Sequence, residues 1–235
     1  NMPALNQEPI GTGPFEFVAY QQDAAIRYVS NADYWDGAPS FDNLVFAITT
    51  DPAVRRQKLE AGECHIMPYP APADIQALQD NPGITVMEQQ GLNVGYLAYN
   101  TMQAPFDNPM VRRALNMAID KQAIVDEVYG GFAVVDPGQL LGPSVLGFDA
   151  SLEAYPYDPD LAAQLIEQRG ATGATVTLVG ESSGRWLNDR ALVEFVAAAW
   201  RAVGLEVDLQ LLDFGDYLDV LFGRDTRPDA IFVSS

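Results

Sequence analysis

Residues Ala174–Gly180 read ATVTLVG, a β-branched apolar run bounded by glycines that reads as a strand. Its neighbours fix the fold class. Before it lies DPDLAAQLIEQRG (158–170), a helix. After it come the long helix Trp186–Val203 closed by Gly204, the strand LEVDLQLL (205–212), the helix DFGDYLDVLFG (213–223) and a last strand, DAIFVS (229–234). Strands that alternate with helices in this way predict an α/β arrangement with mostly parallel sheet.

Toward the N-terminus, GLNVGYLAYNT (91–101) alternates and is aromatic-rich, as a strand would be. A helix follows. Asp107 or Asn108 can cap it, Pro109 fits its first turn, and Val111, Leu115, Ala118, Ile119 and Ile124 carry one apolar stripe to a stop at Gly130-Gly131. Residues 132–159, rich in Pro and Gly, read as a long ordered loop. The first part of the chain is strand-rich: Phe15, Phe17 and Ala19 alternate, Ile26–Val29 and Leu44–Ile48 are two more strands, and NADYWDGAPS (31–40) is a turn. TTDPAVRRQKLEAGE (49–63) is a short helix capped by Thr50 or Asp51, with Pro52 in its first turn and Gly62 as its stop. HIMPYP (65–70) is expected to be a brief strand, PADIQALQDN (72–81) a helix and GITVMEQQ (83–90) another strand.

The 235 residues are 48% hydrophobic, enough for a large core, and 32 acidic against 13 basic residues leave a formal charge of −19. Such a surface repels nucleic-acid phosphates and anionic membranes. No run approaches the roughly 18 apolar residues that span a bilayer. The opening NMPALNQEPI and the apolar close AIFVSS are those expected of a piece of a longer protein.

Three patterns carry candidate chemistry. PIGTGPFEFVAY (9–20) holds half of a G-x-G-x-x-G fingerprint, but Pro14 and alternating aromatics follow where a helix is required, so the glycines read as a turn into a strand. GESSG (180–184) fits G-x-S-x-G between a strand and a helix, with Ser182 as nucleophile. A hydrolase of that kind needs a histidine after the serine, and the single histidine, His65, precedes it; the alternative is a Gly/Ser turn whose N–H and hydroxyl groups face a cleft. His65 beside Cys64 makes a poor metal pair, because neighbours on a strand point to opposite faces. The carboxylates offer no spaced pair that marks an acid and a base. Tyr96, Tyr99, Trp186, Tyr155 and Tyr157 remain as aromatics able to line a groove.

Taken in order, PIGTGPFEFVAY, NADYWDG, FDNLVFAITTDPAVRRQKLEAGECHIMPYPAPADI, GLNVGYLAYNT, PFDNPMVRRALNMAIDKQAI and YPYDPDLAAQLIEQRG resemble the peptide/nickel class, family 5, of extracellular solute-binding proteins of ABC importers, and within it the dipeptide-binding subgroup. The likeness runs through nearly all of Pro9–Ser235. It implies a periplasmic-binding-protein type II-like architecture of two α/β lobes that close on a ligand, with no catalytic residue, cofactor or metal. Residues 1–90 would be part of the first lobe and 91–235 part of the second, with the hinge crossing near Gln89–Leu92. The resemblance implies a short peptide as ligand, delivered to permease subunits in the membrane by a monomeric periplasmic or extracellular protein. Glutathione, haem, nickel chelates and oligosaccharides are the alternatives on the same scaffold.

The same likeness assigns ligand contacts to the turn Ser182, Ser183, Gly184, Arg185 and Trp186, and adds Tyr99 and Asn100 from the crossing strand. The turn departs from the family pattern, in which an Arg and a Tyr stand among prolines. An aspartate for the peptide's amino group would follow the strand ending IFVSS, outside this chain. Cys64 occupies a position that in relatives pairs with a cysteine near the mature N-terminus, also outside this segment.

Overall fold

The computed structural model describes residues 8–89, 91–136, 138–223 and 228–234. The chain divides into two compact units, 1–70 and 71–235.

In the first unit β1 (Phe15–Gln21), β2 (Ala25–Ser30) and β3 (Asn43–Ala47) form an antiparallel meander in chain order, with a bulge between Phe17 and Ala19. One face carries Phe17, Tyr28 and Phe46, whose rings meet edge to face at 5.8 and 6.0 Å. The GTG turn enters this sheet: Asn31 donates its Nδ2 to the Gly13 carbonyl at 3.0 Å and its backbone N–H to that of Pro14 at 2.9 Å. No helix follows the glycines, which removes the phosphate-cradle reading. Helix α1 (Pro52–Glu60) starts where the sequence places it, with Asp51 Oδ1 accepting from the N–H groups of Ala53 and Val54. Gly62 closes it with φ +74°, a conformation glycine adopts without a Cβ penalty. The expected strand at 65–70 is absent. No neighbouring strand among the described residues offers it a ladder, and His65 and Ile66 are exposed while Cys64 is half-buried.

The second unit is built on a four-stranded sheet in the order β4 (Gly95–Tyr99), β7 (Ala230–Ser234), β5 (Thr175–Glu181), β6 (Glu206–Leu212). β7, β5 and β6 are parallel and β4 runs antiparallel to β7, as the alternation of elements predicts. One face is covered by α3 (Pro109–Met117), α5 (Pro159–Gln168) and α6 (Asp189–Ala202), the other by α7 (Phe214–Phe222). The main core gathers Phe106, Val111, Leu115, Ile166, Leu178 and Trp200, all at most 1% exposed. Trp200 also donates its indole N–H to the Leu115 carbonyl at 3.3 Å, satisfying its one polar atom inside the core. Helix α2 (Pro72–Gln79) belongs to this unit and buries Pro72, Ile75 and Leu78; Pro72 packs beside Gly130. The two compact units part at Pro70/Ala71. Of the expected hinge residues, Gln90 lies outside the described ones.

Three expectations change. Residues 83–89 form no strand, again for want of a ladder among the described residues. The helix expected to run from 109 to Gly130 stops at Met117; Asp120 then recaps by accepting from the Ala123 N–H at 2.9 Å, and after α4 (Lys121–Ala123) residues Ile124–Val128 widen into a π-helical turn. An aspartate in the middle of an apolar stripe favours a cap over continuation. Helix α6 begins at Asp189, not Trp186. Asn188 takes a left-handed conformation at φ 54° and donates its Nδ2 to the Val128 carbonyl at 2.6 Å, while Trp186 turns into a ring cluster. Among the described residues 132–158 run without helix or strand, Pro159 opening α5, and Arg113 of α3 lies over the ring of Tyr155 at 5.8 Å.

Candidate functional site

In α/β sheets the loops leaving the carboxyl ends of parallel strands hold ligands, because successive connections diverge there. Here that edge lies beyond Glu181 of β5, Leu212 of β6 and Val233 of β7. The turn 182–188 occupies it. Ser182 bonds to β6 through both its backbone N–H, 2.9 Å from the Leu212 carbonyl, and its Oγ, 3.1 Å from the same oxygen. Ser183, Gly184 and Arg185 are exposed, and Gly184 supplies the positive φ, +81°, that turns the chain.

Behind the turn stands an aromatic wall. Trp186 meets Tyr217, Phe232 and Phe214 edge-on at 5.4, 6.2 and 6.3 Å, and Phe214 stacks on Tyr217. The Arg185 guanidinium lies over the Phe214 ring at 5.3 Å, a cation–π contact that leaves its N–H fork open to solvent. Tyr217 anchors the wall by donating its hydroxyl to the Phe232 carbonyl at 2.8 Å. Burial, and then Tyr96 and Glu181, push that hydroxyl up to about 12.

Under the turn lie two buried carboxyls, Glu181 at 0% and Asp189 at 3% exposure. Glu181 Oε1 accepts from the Ser183 N–H at 2.6 Å and from the Ser183 hydroxyl, and Oε2 accepts from the Arg185 N–H at 3.1 Å. Burial raises the Glu181 carboxyl, but the bonds it accepts from Asp189, Ser183 and Arg185 outweigh this and hold it below the usual range. Asp189 has less support: Oδ1 accepts from the Arg190 N–H at 2.8 Å and Oδ2 has no donor. Burial pushes it up to about 7, with the hydrogen bond to Glu181 adding to the rise.

The expected site residues fall into two groups. Ser182, Ser183, Gly184, Arg185 and Trp186 come together. Tyr99 and Asn100 stand at the opposite end of the sheet, since Tyr99 pairs with Ala230 whereas Tyr96 pairs with Val233. Three strand residues place Tyr99 about 10 Å farther along. Its ring stacks on Phe106 at 5.2 Å, its hydroxyl is buried without a partner, and burial raises its proton affinity well above the usual tyrosine range, partly offset by Arg112. Asn100 accepts from the Met102 N–H and closes a turn. Tyr96 is the aromatic of β4 on the level of the turn. The Ser182 hydroxyl donates to a backbone carbonyl, and Ser182 lacks the strained positive φ of a nucleophile elbow. Among the described residues no three His, Cys, Asp or Glu side chains come together to hold a metal.

Glu181 and Asp189 went unread in the sequence, yet one signal was there. Asp189 opens the stripe continued by Leu192, Val193, Val196 and Trp200, so a helical wheel puts its carboxylate on the buried face.

In this α/β unit an aromatic and hydrogen-bonding turn stands at the carboxyl edge of the sheet. Residues 2–230 match the family described as bacterial extracellular solute-binding proteins, family 5 Middle, and the chain belongs to that family. It is 42% identical over 222 residues to di/tripeptide-binding protein 1 of Pseudomonas aeruginosa, covering 91% of this chain and 40% of that one. The dipeptide-binding protein of Escherichia coli is 41% identical over 217 residues, covering 91% and 40%. A crystal structure of the dipeptide-binding protein of Pseudoalteromonas sp. SM9913 with Met-Leu superposes with a TM-score of 0.86 at 28% identity, covering 99% of this chain and 48% of that one. The chain thus spans about two fifths of the length of the curated relatives it matches.

Proposed function

We propose that the chain is part of the substrate-binding component of an ABC importer, which captures dipeptides or other short peptides between two lobes and delivers them to a membrane permease. The observation that carries the reading is the turn 182–186: the exposed Arg185 guanidinium, set against an aromatic wall, suits a small zwitterionic ligand with a free carboxylate. The names of the relatives support the same ligand class.

On this reading Ser183, Gly184, Arg185 and Trp186 form part of the second-lobe wall, and the crossing between lobes lies near 89–92. The protein works outside the cytoplasm, as a monomer, and breaks no bond in its ligand. The carbonyl partner of Ser182 supports binding over hydrolysis, because a hydroxyl committed to Leu212 has no base to activate it.

Isothermal titration of the whole protein with dipeptides, tripeptides, glutathione, haem, a nickel chelate and cello-oligosaccharides tests this. Saturable heat with di- or tripeptides alone is expected. Binding confined to any other compound overturns the peptide assignment, and labelling of Ser182 by a fluorophosphonate overturns the non-enzymatic one.

A further inference from the structure

The buried carboxyls at the base of the turn have no role in the binding reading as it stands. Neither has a guanidinium beside it among the described residues. Arg190 gives Asp189 only a backbone N–H, its guanidinium being bonded to Glu194 at 2.9 Å; Arg185 likewise gives Glu181 a backbone N–H while its guanidinium lies over Phe214. Tyr129, next to the π-turn, senses the Asp189 charge, and Tyr217 on α7 senses Glu181 and Tyr96 on β4. From β6 and β7 the neighbouring side chains are Leu211, Leu212, Phe232 and Val233. Among the described residues neither carboxylate has a cationic partner.

Two ionised carboxylates in one buried site repel, and one proton between them removes the repulsion and supplies the missing hydrogen bond. That accounts for Asp189, whose side chain bonds to Glu181 and whose Oδ2 has no donor unless one of the two acids is protonated. The proton belongs on Asp189. Glu181 already accepts three bonds from the turn and is stabilised as the anion, whereas Asp189 accepts only the Arg190 N–H and a weaker bond from the Trp186 N–H.

We infer that Glu181 and Asp189 form a one-proton acid pair that positions the turn 182–188, so that Glu181 is a positioning residue for the ligand contacts and ligand affinity depends on pH. This rests on the peptide-binding reading. With Asp189 protonated, its O–H donates to Glu181, and the Glu181 carboxylate fixes the N–H and hydroxyl of Ser183 and the N–H of Arg185. When Asp189 loses its proton, two like charges lie side by side with no cation among the described residues to screen them. Relief then requires Glu181 or Asp189 to move, and either movement loosens the turn.

The test has two arms on the whole protein. In the first, dialanine is titrated calorimetrically between about pH 5.5 and about pH 8.5. Affinity should fall roughly tenfold across the range, the change that one unit of difference in proton affinity between free and bound turn produces. Asp189→Asn, whose amide N–H replaces the acid proton, should bind equally at both ends, and Glu181→Gln should bind more weakly at both. The second arm needs no ligand. Trp186 emission should step with a midpoint near neutrality in the native protein and lose the step in Asp189→Asn, with Trp186→Phe assigning the signal. An emission step that Asp189→Asn abolishes supports the pair even if dialanine fails to bind, in which case it is the peptide reading that falls. A native protein without the emission step, an affinity that does not change with pH, or a step that survives in Asp189→Asn overturns the inference.

Discussion

Gly180 and Val193 stand so close that a Cβ on Gly180 would lie 2.7 Å from one Val193 methyl carbon and 2.9 Å from the other. The β-branched valine on α6 has little rotamer freedom to retreat. The glycine therefore lets β5 press against α6 at the point where Glu181 meets the first turn of the helix. Gly180→Ala should destabilise by about 1–3 kcal/mol, the usual cost of overpacking a core. Urea unfolding of the two proteins would measure it, and an unchanged midpoint would mean that β5 and α6 can separate freely.

Trp200 fills the centre of the main core and is 0% exposed. Trp200→Ala should cost about 3–5 kcal/mol through the cavity it leaves. Trp200→Phe should cost less, chiefly the Leu115 carbonyl left without its indole donor. The order of the two denaturation midpoints checks the assignment.

The carboxyl pair also gives stability a pH dependence of unusual sign. Asp189 binds its proton more tightly folded than unfolded, so its contribution declines as pH rises from about 4 to about 7 and is level above that. Glu181, held low, works the other way: its contribution is present above the ordinary glutamate range and is lost as pH falls through its folded value. The remaining carboxylates contribute to both proteins alike. Comparing unfolding of the native protein and Asp189→Asn at about pH 5 and about pH 8 isolates the Asp189 part. The native protein should lose on the order of 1–4 kcal/mol relative to the variant between those values.

Arg185 is exposed and makes no ion pair among the described residues. Its removal should leave the fold nearly unaffected, since surface changes away from packed features stay within about 0.5 kcal/mol. If the guanidinium meets a ligand carboxylate, Arg185→Ala should weaken dipeptide binding by about 10- to 100-fold, as the loss of a charged hydrogen bond does. Calorimetry beside a melting curve separates the two effects.

The α/β character was readable because it depends on local signals: Pro52 and Pro109 in first turns, Asp51 and Asn108 as caps, and Gly62 and Gly204 at helix ends appear where the residues place them. The strands expected at 65–70 and 83–90 do not form over the described residues for a nonlocal reason, since a strand exists only with a partner and propensity does not name one. The split of the site has the same origin. Tyr96 and Tyr99 look alike in VGYLAYN, but the antiparallel register of β4 against β7 sends one toward the turn and the other into the core. Ser182–Trp186 could be recognised as a turn at a strand end, whereas the approach of the two carboxyls beneath it depends on α6 carrying Asp189 back against the strand end at Glu181, a contact visible only once helix and sheet are packed.

The position of β7 bears on how this unit comes into being. β5, α6 and β6 are contiguous in the chain and can assemble as soon as they emerge, but β4, made early, hydrogen-bonds to β7, made well after it. Until residues 230–234 arrive, Gly95–Tyr99 is an orphan strand with an aromatic edge, the kind of surface that invites mispairing. Closure of this long-range ladder should be the slow step of folding. A chaperone that shields an early strand while the rest of the polypeptide is delivered would act at β4.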